Sequence, residues 1–534
     1  MASWESQKFL SKAEIRAIVF LMKKRTTTQI LVSTLLTGTM LGCAGGGSTS
    51  TSSNAPVKKI HESIVLKGVT IVNTQNGQLL PNMAVMIDSG KISKIISAEA
   101  VGEQGSKRVI DATGKYLVPG YLDMHAHILD DSSSAEMGAI MLAHGITGFR
   151  QMSGTDEILL QRKDGKLKLS EDSPELLGMP GPVLLRSNAS SADAAVELVQ
   201  KQRSEGADFI KVVDVAPNVF FAALAEAKKE GEYFAGHIPA GVDAVQASKA
   251  GMLSIEHLGP VDSVLISCST NEASVRKAIG SEATVNMSAE IGKLTVANPL
   301  LVRLMANQNA FLKTRTIIDT YSDSKCKKVA ETFANFKTWH VPTLIRNVTM
   351  QQADKAEYTN SANLQYVSRG TREYWDGVSK QFTKIVKPVA RETLRQLGAM
   401  DMKLVKLFDQ QGVKMMTGTD VGGMWVVPGV SLHQEFDLLA KAGLSPLKVL
   451  QMTTLNGAEF LGKRSTMGTV EVGKDANLVL LDANPVVSVA NLHKINGVVR
   501  DGKYYSEPML KSLKDEAAKK LATVVNTDSS SLVH

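Results

Sequence analysis

Cysteine is scarce in this chain. Only three occur in 534 residues, at Cys43, Cys268 and Cys326. Such wide spacing rules out a zinc-type cysteine pair and implies no disulfide framework, so Cys268 and Cys326 read as buried or half-buried thiols. Long apolar runs are lacking downstream of residue 54, where no stretch approaches the roughly 18 residues that span a bilayer. Aromatic residues are only 5% of the chain, and none interleave with a basic stripe. The formal net charge is +7, yet Lys and Arg are dispersed, with small clusters at Lys23-Lys24-Arg25 and Lys519-Lys520. That dispersion argues against a nucleic-acid partner.

The N-terminal region reads as an address. Met22-Lys-Lys-Arg25 precedes the apolar stretch Ile30 to Leu41, then Leu41-Gly42-Cys43. A charged start, a short apolar core and a small residue before a cut make a secretory signal. With Cys43 after the cut, the motif resembles a bacterial lipobox, although Met40 stands where Leu is usual. Lipidation at Cys43 is therefore expected, with export to the periplasm or cell envelope. Residues 1–21 do not fit a signal, so Met22 reads as the start. Residues 44–58 are rich in Gly and Ser and read as a flexible tether.

The body divides by hydrophobic period. Short alternating runs separated by Gly and Asn fill 59–118 and return at 465–508, predicting one β-sandwich domain built from both ends. Between them, over 119–464, strand-like runs alternate with helical segments, which predicts a (β/α)₈ TIM barrel of α/β class. The eight strands are expected at Leu122–Ile128, Gly148–Met152, Gly181–Arg186, Phe209–Val213, Tyr233–His237, Leu253–Leu258, Val341–Ile345 and Val413–Asp420. Two gaps are oversized, at 260–338 and 346–410. The second leaves the C-terminal end of strand seven and is expected to cover the barrel mouth. A surface helix over Pro508–Val524 and a Ser-rich tail close the chain, within a terminal segment 509–534.

Barrel enzymes place their chemistry at the C-terminal ends of the strands. Strand one ends Asp123-Met-His125-Ala-His127. Side chains at i and i+2 share a face, so both imidazoles can reach one point. Strand four carries Lys211, strand five His237, strand six Glu256-His257 and strand eight Thr419-Asp420. Of ten histidines, four stand at these ends, a concentration that points to a metal site. Asp123 reads as an interior supporting group. Glu256, next to His257, is expected to face away from the metal and serve structure. His61, His144, His340, His433, His493 and His534 fall outside the set. Gly422-Gly423-Met424-Trp425 lies on the catalytic rim, as a wall of the substrate pocket or a plain loop.

This constellation resembles the amidohydrolase superfamily, and more closely its branch of imidazolonepropionase-like proteins and Xaa-Pro and Xaa-Arg dipeptidases. The resemblance covers about residues 60–505. It implies that His125, His127 and Asp420 hold one zinc ion and that His237 and His257 hold a second. It further implies that Lys211 is carboxylated to N6-carboxylysine and bridges the two, because a free ammonium has no lone pair to give. Two such ions share a water, lower its pKa and direct the hydroxide at a polarised carbonyl. Asp420 would relay the proton to the leaving amine.

The implied activity is hydrolysis of an amide or peptide-like C–N bond in a small molecule, a dipeptide or an N-acyl amino acid. A mononuclear deaminase or cyclic amidase is the main alternative. It is disfavoured by Lys211 and by Ala240, which stands where such deaminases tend to carry Glu. Lactone hydrolysis would use the same machinery. A non-catalytic surface lipoprotein is disfavoured because no ligand of the set is missing. Contact with a membrane is expected only through the lipid, and oligomeric state is left open.

Overall fold

The computed structural model describes residues 63–102, 107–239, 241–260, 263–280 and 310–525. The expected signal, Cys43, the tether, Ala240 and the Ser-rich tail lie outside them. No helix among the described residues is long and apolar enough to cross a membrane.

The chain opens with β1 (Ile64–Val72), β2 (Leu79–Asp88), β3 (Lys91–Ser97), β4 (Arg108–Asp111) and β5 (Tyr116–Pro119). The barrel strands follow: β6 (Tyr121–Ala126), β7 (Ile146–Gln151), β8 (Glu175–Gly178), β9 (Leu184–Leu185), β10 (Phe209–Asp214), β11 (Tyr233–Gly236), β12 (Ser254–Glu256) and β13 (Trp339–Val341). The chain then returns to the first sheet with β14 (Leu478–Leu481), β15 (Ile495–Arg500) and β16 (Lys503–Ser506).

Strands from both ends form one eight-stranded sheet, in the order β16-β15-β14-β5-β1-β2-β3, with β4 also on β1. The joint between the two ends is the antiparallel pair β14 and β5, with Leu480 opposite Leu117. Alternation, reset by a bulge at Gly68 between Lys67 and Val69, sends Ile64, Leu66, Val69 and Ile71 to one face, where they meet Leu117, Leu478, Leu480 and Val499 in a shared core. Neither end could bury that face alone, so the sheet requires both.

The barrel strands pair in parallel as β6-β7-β8 and β9-β10-β11-β12-β13. Single bridges complete the ring: Pro180 to Phe209, His340 to Met415, and Val421 to Ala126. Backbone bonds from Met124 N to Thr417 O and from Asp420 N to His125 O, at 2.9 and 2.8 Å, lay the eighth run against the first strand.

Three expected strands are corrected. The third starts at Glu175, not Gly181, and is broken where Pro180 and Pro182 interrupt its ladder; only Leu184 and Leu185 of the expected span pair. The seventh stops at Val341 rather than Ile345. Pro342 cannot donate, and Thr343 takes φ +43°, turning the chain into a helix at Leu344. The eighth, expected at Val413–Asp420, is not a continuous strand: its bridges lie at Met415 and Val421, and separate backbone bonds tie Lys414, Met416, Thr417 and Asp420 to the strands on either side.

Both oversized gaps are helical where described. The first includes α1 (Ser263–Cys268) and α2 (Asp323–Asn335); the second includes α3 (Leu344–Gln351), α4 (Arg369–Ile385) and α5 (Pro388–Gln410). α6 (Val430–Lys441) follows the rim loop after Asp420. The expectation of two thiols is overturned, because Cys268 of α1 and Cys326 of α2 form a disulfide. Their sequence separation of 58 hid the proximity, which arises only when α1 and α2 pack side by side. Both sulfurs are fully buried.

A cross-link of that span stabilises by about 2–4 kcal/mol, chiefly by constraining the unfolded chain. The double variant Cys268→Ser/Cys326→Ser should lose about that much in urea unfolding, and non-reducing mass spectrometry should find the pair bonded in the parent. Free thiols at both positions would refute the bridge.

Candidate metal centre

The chain is turned sharply at the strand ends that carry the candidate residues. His257 and Asp420 both adopt left-handed backbone, with φ +58° and +63°. Such conformations are costly for non-glycine residues and persist only where surrounding contacts hold them. Gly236 and Gly418 make room at two places. A Cβ at Gly236 would lie 2.1 Å from the carbonyl oxygen of Val212, and one at Gly418 would lie 2.8 Å from the Cβ of His125. Strand eight can therefore press directly onto His125.

These turns bring the expected residues together. Nε2 of His125 and Nε2 of His127 are 3.4 Å apart, and they lie 3.0 and 3.2 Å from Oδ1 of Asp420. Nε2 of His257 is 3.9 Å from Oδ2 of the same carboxylate. The Lys211 ammonium is 3.3 Å from Nε2 of His125. His237 joins through ring contact with His257, centroids 5.1 Å apart. Ligand atoms of His125, His257 and Asp420 all fall within 4.8 Å of one another. That trio crosses the two ligand sets expected from sequence, so the site is one cluster rather than two separate halves.

The other imidazole nitrogens are tied outward. Nδ1 of His125 meets Oε2 of Glu256 at 2.7 Å. Nδ1 of His127 meets Ser153 Oγ at 2.8 Å and Asp130 at 3.2 Å. Nδ1 of His257 meets Thr343 Oγ1 at 2.6 Å. Nδ1 of His125 donates to the Glu256 carboxylate, which can only accept, and Lys211 stands at its Nε2, so that nitrogen presents a lone pair inward. Burial opposes the charged form of His127, but its hydrogen bonds to Asp130 and Asp420 outweigh that and raise its pKa. Burial holds His237 and His257 well below their ordinary pKa, with the nearby charges of Lys211 and Arg346 adding to it. Both are neutral imidazoles.

Asp420 therefore faces imidazole nitrogens at Oδ1, while Arg346 donates to its Oδ2. Its Oδ1 accepts no well-formed hydrogen bond among the described residues, although it is fully buried. An ionised, buried oxygen left so is costly unless a cation sits against it. Neutral imidazole nitrogens around a carboxylate match the donor set of zinc, so the residues present fit the metal expected from sequence.

Glu256 corrects the sequence expectation. It does not face away from the site, because His257 leaves the pleat in left-handed backbone and strand alternation ends at Glu256. Its carboxylate joins His125 on one side and Arg150 on the other, with Oε1 accepting from Arg150 Nη2 at 2.8 Å. Burial alone would raise its pKa, but the charge of Arg150 and the hydrogen bond from His125 outweigh it and bring it to about 2. Asp123 supports as expected, accepting from the Thr419 hydroxyl at 2.7 Å and from the Thr419 and His125 amides.

Sequence reasoning missed Arg150, Ser153, Thr343, Glu435 and Arg346. Arg150 carried a weak signal as a charge inside an apolar strand run. Arg346 carried none, and it bonds to Oδ2 of Asp420 from the first turn of α3. His144, His340 and His433 lie away from the cluster. His340 is packed between Phe333 and Phe408, and burial lowers it to about 3.

A family model described as "Amidohydrolase family" matches residues 116–505, from β5 through the barrel and back into β16. The chain belongs to the amidohydrolase family. That membership carries a class of chemistry, metal-dependent hydrolysis of carbon–nitrogen bonds. Curated relatives of the amidohydrolase include the N-acetylglucosamine-6-phosphate deacetylase of Bacillus subtilis, 30% identical over 227 residues, which are 37% of this chain and 56% of that protein. The adenine deaminase of Rubrobacter xylanophilus is 33% identical over 89 residues, 16% of this chain and 14% of that one. In each, the match spans less than two thirds of the relative's own length. Solved structures agree over much more of the fold. A bottromycin amidohydrolase aligns with TM-score 0.62 at 21% identity, covering 86% of this chain and 90% of that one. A Xaa-Pro dipeptidase with bound methionine aligns with TM-score 0.55 at 16% identity, covering 83% and 100%.

Groups that orient a metal-binding imidazole typically contribute 10–100-fold to metal affinity. Glu256→Gln should therefore weaken zinc binding by about that factor in a chelator competition, with the fold retained by circular dichroism. Undiminished affinity would show that the bond to His125 Nδ1 does not support the site.

Proposed function

We propose that the protein is a binuclear zinc amidohydrolase that cleaves an amide or peptide-like C–N bond in a dipeptide or an N-acyl amino acid. The observation that carries this is the inward set of imidazole nitrogens around Asp420, with Lys211 buried beside it. His125, His127 and Asp420 would hold one ion, and His237 and His257 the other. When bound, the two ions would lower the pKa of a shared water and polarise the scissile carbonyl. Asp420 would take the proton of the attacking water and return it to the leaving nitrogen.

Lys211 is the residue on which the count of two ions depends. Burial brings its pKa down to about 8, although the carboxylates of Asp420 and Glu256 pull the other way. A neutral amine can add to CO₂, forming a new N–C bond and releasing one proton. The product is an anionic carbamate suited to bridging two cations. The protonated amine cannot react, so the neutral fraction, about a tenth at pH 7, rises through pH 8.

The deaminase reading draws on relatives such as the adenine deaminase, but it gives Lys211 no task. Export with lipidation at Cys43 is part of the proposal. The Cys268–Cys326 bridge supports an oxidising compartment.

Zinc-loaded protein should carry close to two ions and hydrolyse members of a panel of dipeptides and N-acyl amino acids faster than lactones or nucleobases; the reverse preference would overturn the substrate class. Lys211→Ala should lose metal and activity together, and reconstitution of the parent with zinc should depend on bicarbonate and proceed faster at pH 8.5 than at pH 6.5. Metal uptake independent of bicarbonate and pH would remove the bridge. Cys43→Ser should move the protein from the membrane fraction to the soluble fraction, and no shift would count against the lipid anchor.

A further inference from the structure

We infer, resting on the metal centre proposed above, that Glu435 is a positioning residue for it: the Glu435 carboxyl group holds the first turn of α3, which presents Thr343 to His257 and Arg346 to Asp420. Glu435 belongs to α6 and lies outside the ligand set.

α3 begins without a cap of its own. Pro342 has no amide hydrogen, and Thr343 enters the helix at φ +43°, in the left-handed region. Thr343 makes no side-chain capping bond; its hydroxyl is bonded instead to Nδ1 of His257 at 2.6 Å. The first amides of a helix have no partner within it and need one elsewhere. The Asn347 amide reaches back to the Thr343 carbonyl at 3.2 Å. Leu344 and Ile345 are buried away from water. Glu435 supplies the missing acceptor from α6, its Oε2 receiving the Ile345 amide at 2.8 Å.

Nothing in the packing of α6 asks for a carboxyl group there. Leu432, Phe436 and Leu439 form the buried stripe of that helix, and Glu435 stands in the same stripe, fully buried. Such a group is costly to bury, and its Oε1 has no hydrogen-bond partner among the described residues. Burial pushes its pKa up to about 8, although the amides of Ile345 and Leu344 act the other way. The uncharged acid therefore prevails at neutral pH, and its carbonyl oxygen still accepts. An apolar side chain would suit the stripe equally well; what the carboxyl group adds is the bond to α3.

The turn held in this way serves two ligands. Thr343 stands behind His257 of strand six, and Arg346 donates to Oδ2 of Asp420 of strand eight. Strand seven lies between those two, paired with β12 on one side and bridged to Met415 on the other. The chain leaving strand seven is thus placed to reach both neighbours. The rest of α3 is fixed separately, where Asn347 and Gln351 donate to Oδ2 of Asp401 on α5 at 3.4 and 3.1 Å. Losing the Glu435 bond would leave that outer anchor intact and free the first turn to drift from His257 and Asp420.

The test separates an acceptor from mere packing. Glu435→Gln keeps a carbonyl oxygen at nearly the same volume, whereas Glu435→Leu suits the apolar stripe and cannot accept. Both would be compared with the parent, with Thr343→Val and with the double variant Glu435→Leu/Thr343→Val. Zinc affinity would be read by chelator competition, which needs no turnover, and kcat and KM on dipeptides and N-acyl amino acids at saturating zinc. Glu435→Gln should match the parent. Glu435→Leu should lose about tenfold in zinc affinity and about tenfold in kcat, the low end of the range for groups that orient a ligand, with KM little changed. The double variant should bind zinc little worse than the weaker single variant, because both changes act through one turn. Parental zinc affinity and kcat in folded Glu435→Leu overturn the assignment. So does a Glu435→Gln as defective as Glu435→Leu, or full additivity with Thr343→Val. Should Glu435→Leu fail to fold, hydrogen exchange decides: the Ile345 amide should be protected in the parent and in Glu435→Gln, and fast exchange in the parent overturns the contact. If the parent binds zinc and hydrolyses no amide, the hydrolase proposal fails, while zinc affinity still decides the role of Glu435.

Discussion

Oδ1 of Asp420 lies 3.0 Å from Nε2 of His125 and 3.2 Å from Nε2 of His127, and it accepts no well-formed hydrogen bond among the described residues. The tautomer of His125 is set from behind, where Nδ1 gives its proton to Glu256. His127 is likewise bonded from behind, by Asp130. A buried lone pair facing a buried carboxylate repels it, and a cation is the simple remedy. Much of the surrounding architecture maintains this arrangement: left-handed backbone at His257 and Asp420, missing Cβ atoms at Gly236 and Gly418, and a carboxylate–arginine pair beneath the barrel mouth.

The long insertion after strand seven takes part in the same centre. Pro342 ends the strand, and Thr343 turns the chain so that α3 begins against the cluster. Its first turn contributes both Thr343, behind His257, and Arg346, beside Asp420. Farther out, Trp375 of α4 packs against Trp425 of the rim loop, with ring centroids 5.1 Å apart. The insertion thus reaches both the metal-binding residues and the loop that follows Asp420.

The eight-stranded sheet shows a different kind of dependence. Its core draws on both ends of the body, joined at β5 and β14. β5 leads into β6, which carries His125 and His127. The sheet therefore anchors the strand from which the metal site is built. A sandwich of two ends was expected from alternation alone, and the continuous order of the strands across the two ends came from their pairing.

Residue pattern by itself determined the parallel barrel, the β-rich ends and the strand-end histidines. Each is a local signal, because side-chain direction follows from a period of two or 3.6 residues. His125 and His127 share a face for that reason alone. Tertiary structure decided what local period cannot carry. Glu256 turns to His125 because a left-handed residue interrupts the pleat after it. The third strand moved to Glu175 because prolines broke the ladder where apolar content looked strongest. Cys268 finds Cys326 only when two helices pack, and Arg346 finds Asp420 only once the barrel has closed and brought together residues 74 positions apart in sequence.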